Sequence, residues 1–149
     1  MSTNNDSTQH VQIAVADPTP LGLFGLAVVT MVASAQKLGI VEGVSWVLPW
    51  ALFCGSFAQM LAGYFDYCQR NIFGATIFSA FGFFWSAVGM SWMIKAGTFG
   101  PGLAAGVDPK AIGFAFLAYF IFACIGTIAA SSASLFLFVD MVFIDILLL

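Results

Sequence analysis

The chain has 149 residues, of which 61% are hydrophobic and only 7% are charged, and its formal net charge is −3. A soluble domain carries about 25% charged residues, so these few charges cannot cover a water-facing surface. The four basic side chains are scattered along the chain, which excludes a nucleic-acid-binding protein. The composition therefore indicates an integral membrane protein whose apolar surface contacts the lipid bilayer.

Residues 1–16 are predicted to form a disordered polar tail. They are not a signal peptide, because they contain no long apolar core and no basic residue. His10 is the only histidine of the chain and lies in this tail. The three cysteines, Cys54, Cys68 and Cys124, are far apart and are interpreted as packing residues. We therefore predict no metal site and no cofactor.

Five apolar runs follow the tail and alternate with short polar turns. The alternating prolines Pro18 and Pro20 hold the chain extended, so the first helix is predicted to start at Pro20 or Leu21. A membrane-spanning helix needs about 20 apolar residues. The predicted spans are residues 21–36, 46–65, 72–94, 111–130 and 133–149. Because helices pair their backbone groups internally, the fold class is all-α, a polytopic transmembrane helical bundle of about five spans within residues 17–149.

The fifth run is the weakest because it contains Asp140 and Asp145. Two aspartates within a span cost about 5–7 kcal/mol, which cancels the gain from its apolar residues. Their spacing of five places the carboxyl groups on different faces of a helix, so they are not an obvious pair. Two interpretations stay open: a protonatable relay, or a poorly inserting, truncated end.

Within the spans the sequence contains no lysine, arginine or histidine that could serve as a catalytic base. The sequence thus predicts a protein that is not an enzyme. The spans do contain many small and hydroxyl residues, which either pack helices together or line a pore. Gln59 is the most informative, because an amide deep in a span needs a partner or water. A small carboxylate suits such a pore, since helix N-termini and polar donors hold it without a fixed positive charge.

Three motifs carry a resemblance to a known family. The first segment is Asp17-Pro18-Thr19-Pro20-Leu21-Gly22-Leu23. The second is Ala58-Gln59 with Ala62-Gly63 and Asp66, and the third runs from Asn71 through Gly74 and Gly82 to Trp85. Gly126-Thr127 fits a weaker motif. Together these segments resemble the signatures of the acetate uptake transporter family, also called the succinate–acetate permeases.

The resemblance implies a six-span protomer that assembles as a hexamer, lies in the plasma membrane and moves acetate or succinate, often with protons. The family narrows its pathway with three side chains. By position two of them fall on Leu26 and Phe81, and the third lies within Phe138–Ile146 without being assigned. The predicted substrate pathway comprises Leu26, Thr30, Gln59, Asn71, Thr76 and Phe81.

The chain also departs from the family pattern. Asp17 replaces the first asparagine of the motif, Leu26 replaces an aromatic ring, and Phe81 lacks the hydroxyl of the family's tyrosine. The sixth span is missing, so the alternative function is a truncated or accessory subunit that does not transport. The basic residues place the N-terminus outside the cell. The family implies an inside location, which we follow.

Overall fold

The computed structural model describes residues 15–149, so His10 and most of the tail predicted to be disordered lie outside the described residues. Within that range the chain forms helices and no strand. Four of them are long and apolar enough to cross a membrane, which confirms the all-α class. We call these the first to fourth helices: Thr19–Lys37, Val47–Cys68, Ile72–Lys95 and Pro109–Ala130.

The ends of these helices lie close to the predicted boundaries because local chemistry sets them. Pro20 stands in the first turn of the first helix, where its missing N–H costs nothing. Asn71 caps the third helix by accepting a hydrogen bond from the Gly74 N–H at 3.2 Å. Asp108 accepts from the Lys110 N–H at 2.9 Å at the start of the fourth helix. The connection between the third and fourth helices contains the short helix Pro101–Ala105.

The last apolar run forms the C-terminal helix, Leu135–Leu148. Its 14 residues give a length of about 21 Å at about 1.5 Å per residue, whereas the hydrocarbon core is about 30 Å thick. Four helices of the described chain are long and apolar enough to span it. The span predicted over 133–149 stays a prediction, and the structure gives the helix Leu135–Leu148 within it. The helix begins two residues after the predicted start because residues 131–133 form a turn and Ser134 is extended.

Glycines bring the first three helices into close contact. The α-carbon of Gly25 faces the Cys54 carbonyl of the second helix, and a β-carbon added at Gly55 would lie 2.6 Å from the Trp85 ring. A β-carbon added at Gly82 would lie 2.5 Å from Met60. In lipid, where lipid tails are as apolar as side chains, such close approach is a main source of helix association. The small residues at these positions therefore pack helices.

One polar contact joins the C-terminal helix to the fourth helix. The Thr127 hydroxyl donates to the Asp145 carboxylate at 2.7 Å, and Thr127 also lies 3.0 Å from the Ala123 carbonyl. The other Asp145 oxygen is buried without a hydrogen-bond partner among the described residues. The contact matters because a buried carboxyl group that lacks partners destabilises the fold.

Replacing Thr127 by valine should destabilise the packing of the C-terminal helix by about 1–3 kcal/mol, since it leaves Asp145 with no hydroxyl donor. The measurement is the free energy of unfolding in detergent, followed by circular dichroism. Thr98→Val is the matched control, because Thr98 is exposed and makes no side-chain hydrogen bond within the described residues. Equal stability of the two variants would show that the Thr127 contact contributes nothing.

Candidate functional site

Two small cavities are both lined by residues of the first, the third and the C-terminal helix. The motif cavity has a volume of about 20 Å³, which is room for about one water molecule. The Lys37 cavity has a volume of about 40 Å³. The motif cavity is lined by Thr19, Leu23, Leu26, Gln59, Asn71, Phe73, Gly74, Ile77, Phe78, Phe81, Leu137, Asp140 and Met141. The Lys37 cavity is lined by Thr30, Ala33, Ser34, Lys37, Phe84, Trp85, Val88, Trp92, Phe116, Leu147 and Leu148.

The two cavities follow one another along the same three helices. On the first helix the change from one cavity to the other falls between Leu26 and Thr30, and on the third helix between Phe81 and Phe84. Three or four residues of helix correspond to about 5–6 Å. An apolar barrier about one helical turn thick therefore separates the two cavities, and its side chains decide whether they connect.

Phe81 is the central side chain of this barrier. It is 2% exposed, and its ring packs against Tyr119 and Phe122 of the fourth helix with centroid distances of 6.1 and 6.3 Å. The Phe84 ring lies 6.2 Å away, edge-on. Rings that contact on several sides resist movement. The aromatic cluster therefore holds Phe81 at the end of the motif cavity that is nearer to the Lys37 cavity, where Leu26 also lies.

Gln59 carries the one side-chain amide that is fully buried among the residues that line the motif cavity. Its side chain is 0% exposed, and neither its Nε2 nor its Oε1 has a hydrogen-bond partner among the described residues. Gln59 directly follows a π-helical stretch, Ala51–Ala58, in the second helix, and such stretches occur often at functional sites. A buried amide without protein partners requires water or a ligand, and the adjoining cavity has the volume for one.

Motif residues at the end of the second helix and the start of the third form one hydrogen-bonded unit. The Asn71 amide donates to the Asp66 carboxylate at 2.9 Å, while its carbonyl accepts from the Gly74 N–H. Asp66 is fully buried, and its second oxygen lies where a β-carbon of residue 74 would stand. Glycine is therefore needed at position 74, and this unit fixes the Asn71 side chain at the edge of the motif cavity.

Asp17 stands before the first helix, next to the cavity-lining Thr19. Its carboxylate accepts a hydrogen bond from the Thr19 N–H at 3.0 Å. The Thr19 side chain and then this N–H hold the pKa of Asp17 below its ordinary value. Asp17 is therefore ionised at neutral pH, so the charge that the sequence analysis expected in place of the family's asparagine is present near the motif cavity.

The structure brings together most, but not all, of the predicted pathway residues. Leu26, Gln59, Asn71 and Phe81 line the motif cavity, and Thr30 lines the Lys37 cavity. Thr76 is exposed and lines neither cavity. It lies two and five residues before Phe78 and Phe81, which turns it to a different face of the third helix.

Sequence reasoning did not assign the residues that the C-terminal helix contributes. Leu137, Asp140 and Met141 line the motif cavity, and Met141 is 1% exposed. A β-carbon at Gly126 would lie 2.8 Å from the end of the Met141 side chain, so Gly126 leaves the room that Met141 fills. A signal was available, because residues 137, 140, 141 and 144 share one helical face.

Comparison with known proteins adds a family to this geometry. The model of the GPR1/FUN34/yaaH family matches residues 2–149. The succinate-acetate/proton symporter SatP of Escherichia coli (strain K12) is 35% identical over 71 residues, which cover 48% of this chain and 38% of the relative. Acetate permease A of Emericella nidulans is 38% identical over 74 residues, covering 48% of this chain and 25% of the relative. The aligned parts thus span less than half the length of these curated relatives.

The fold is also that of a solved structure. The bacterial acetate channel SatP superposes with a TM-score of 0.82 and 23% sequence identity, covering 91% of this chain and 72% of that chain. The arrangement of apolar helices is therefore that of a multi-pass membrane protein.

Proposed function

Because the chain belongs to the GPR1/FUN34/yaaH family, we propose that it forms a passage through the membrane for acetate and similar small monocarboxylates. Succinate is a further candidate substrate, and movement of the substrate is coupled to protons. The relatives named above include a succinate-acetate/proton symporter and an acetate permease. In this proposal the protein holds and releases its substrate without covalent chemistry, and the plasma membrane is its location.

The buried amide of Gln59 is the observation that carries the proposal. Its Nε2 can donate two hydrogen bonds, and no described protein group accepts them. A carboxylate oxygen that enters the motif cavity would accept one of these hydrogen bonds. This bond offsets part of the free energy that is lost when the anion gives up its bound water. An amide holds an anion less tightly than a lysine would, so the substrate can also leave.

The two cavities support a stepwise pathway. A substrate would occupy the motif cavity, cross the apolar barrier beside Leu26 and Phe81, and reach the Lys37 cavity. There Lys37 supplies a positive charge, with its Nζ 5.6 Å from the centre of the Phe116 ring. A short apolar constriction between two sites that carry polar side chains, here Gln59 and Lys37, can close a pathway by excluding water.

The same proposal includes assembly of several copies, a hexamer by resemblance to the family. The fourth helix is the least buried of the long helices, with 11% of its most apolar window enclosed. Its exposed face is apolar, as residues that contact lipid or another copy must be. The exposed large side chains on it include Phe114, Ile121, Ile125 and Ile128.

Uptake of labelled acetate by purified protein in lipid vesicles tests the proposal. We expect uptake above that of empty vesicles, and competition by unlabelled acetate. An inserted, folded protein that shows no uptake would favour the alternative, a subunit that acts only together with other members of its family. Cross-linking in the same vesicles reports the number of copies per assembly.

Gln59→Leu should raise the acetate concentration that gives half-maximal uptake about tenfold or more, because a hydrogen bond to a charged group contributes about 1.5–3 kcal/mol. The measurement is the concentration dependence of initial uptake rates. Gln36→Leu makes the same chemical change outside both cavities and should leave the value unchanged. If both variants need the same acetate concentration for half-maximal uptake, Gln59 does not bind the substrate.

A further inference from the structure

Asp140 lines the motif cavity from the C-terminal helix, whereas Gln59 lines it from the second helix. It is the one ionisable side chain among the residues that line this cavity. It is half-buried, and no described protein group donates a hydrogen bond to its carboxyl group. Asp145, five residues later on the same helix, does not line this cavity. Its carboxylate also differs in accepting a hydrogen bond from the Thr127 hydroxyl. Asp140 is therefore free to interact with whatever enters.

The other charged groups near the cavity give Asp140 no positive partner. Asp66 of the second helix accepts a hydrogen bond from the Asn71 amide and does not line the cavity. Asp17 accepts a hydrogen bond from the Thr19 N–H and does not line the cavity either. From the third helix only uncharged side chains line the cavity. The sole charge of the first helix, Lys37, lines the other cavity. An ionised Asp140 would therefore repel an anionic substrate.

The fourth helix, which packs on the C-terminal helix, supplies no counter-charge there either. Its titratable groups within the bundle are Tyr119, whose hydroxyl donates to the Ala80 carbonyl at 3.1 Å, and Cys124, which lies beside Asp145. Its lysine, Lys110, is at the first turn, near the Asp108 cap. Neutralisation of Asp140 during substrate binding must then come from a proton.

We propose that Asp140 binds the proton that accompanies a carboxylate anion into the motif cavity. The inference rests on the proposed function and names the group that couples substrate to proton. A proton from water bonds to one Asp140 carboxylate oxygen, so the cavity holds one negative charge with its substrate instead of two. The new O–H donates to the substrate carboxylate, as the Gln59 N–H does to its other oxygen. When the substrate leaves toward the Lys37 cavity, the Asp140 O–H bond breaks and the proton bonds to the substrate carboxylate, so the substrate crosses as the neutral acid and Asp140 is left ionised. The acid releases this proton to water on the far side.

The first test compares how acetate uptake depends on pH in vesicles, with the passage of neutral acetic acid through empty vesicles subtracted. Wild-type uptake should rise as the pH falls, by about tenfold per pH unit over the range in which one group takes up one proton. Asp140→Asn should lose this dependence, and Asp145→Asn, the matched control, should keep it. An Asp140→Asn protein that transports with the wild-type pH dependence would overturn the proposal.

The second test does not require transport. Infrared difference spectra of the purified protein record the band of a protonated carboxyl group, with isotope-labelled acetate used so that its own bands are displaced. Because binding of proton and substrate must favour each other equally, acetate added at neutral pH should increase this band in the wild type and in Asp145→Asn. Asp140→Asn should show no increase.

The two tests separate the failures of the two ideas. A wild-type protein without the acetate-induced band contradicts the role of Asp140 even if it transports acetate. A wild-type protein with the band but without uptake contradicts transport alone. Asp140→Ser and Asp140→Glu are measured alongside, so that a folded variant is at hand if Asp140→Asn does not insert. The band must be missing from Asp140→Ser and present in Asp140→Glu, and the reverse result overturns the proposal.

Discussion

Replacing Gly25 by alanine should destabilise the protein by about 1–3 kcal/mol, the usual cost of an overpacked contact. The added β-carbon would overlap the Cys54 carbonyl oxygen and would lie 3.2 Å from the Ala58 β-carbon. A backbone oxygen within a helix cannot rotate away as a side chain does. The first and second helices must therefore separate, which also weakens the contacts on either side of Gly25.

The measurement is the free energy of unfolding in detergent, and Gly113→Ala is its control. Gly113 also lies within a helix, but a β-carbon there meets nothing within 4 Å. Alanine in an open helical position should stabilise by about 0.5–1 kcal/mol, because glycine loses more backbone freedom on folding. The same substitution should thus act in opposite directions at the two sites. A Gly25→Ala protein as stable as the wild type would show that the first two helices pack less tightly than the structure indicates.

Leu26→Ala should increase acetate uptake about tenfold, equivalent to about 1.4 kcal/mol of barrier. Leu26 contacts the motif cavity at the level of Phe81, and the next turn of its helix lines the Lys37 cavity. Removing three carbon atoms there shortens or opens the apolar barrier between the cavities. Leu26→Phe, which restores an aromatic ring at this position, should lower uptake. The measurement is the initial rate of labelled-acetate uptake in vesicles.

Val29→Ala is the control for loss of core packing. Val29 is 0% exposed, stands one turn along the same helix and lines neither cavity. It should reduce stability, as removal of a buried apolar group does, and leave the uptake rate of the folded protein unchanged. If both Leu26 variants transport at the wild-type rate, the substrate does not cross the barrier between these cavities.

The proposed pathway and the proposed proton site depend on one another through geometry. Gln59 and Asp140 reach the motif cavity from the second and C-terminal helices, and the barrier lies beyond them toward the Lys37 cavity. An anion that takes the proton from Asp140 would reach the barrier as a neutral acid. A neutral acid crosses an apolar constriction at a lower electrostatic cost than a bare anion.

The sequence by itself determined the class of the protein and most helix boundaries. Long uncharged runs are incompatible with water, and the turns between them carry the prolines, the capping Asn71 and the capping Asp108. These signals act within a few residues of one another, so no distant contact can change them. The motif around residues 17–23 and 71–85 likewise identified the family, because it is a pattern of residue identities.

Only the tertiary structure decided which side chains meet. Thr76 turned out to face away from both cavities, while Met141 and Asp140 line the motif cavity from a helix in which the sequence left the role of Asp140 open and did not assign the third constriction residue. The physical reason is that a helix in a bilayer is apolar on the lipid side and on the packed side alike. Its periodicity therefore carries little information about which face points inward. The direction of each face is fixed by close contacts between helices, such as those of Gly25 and Gly126, which depend on the whole assembled bundle.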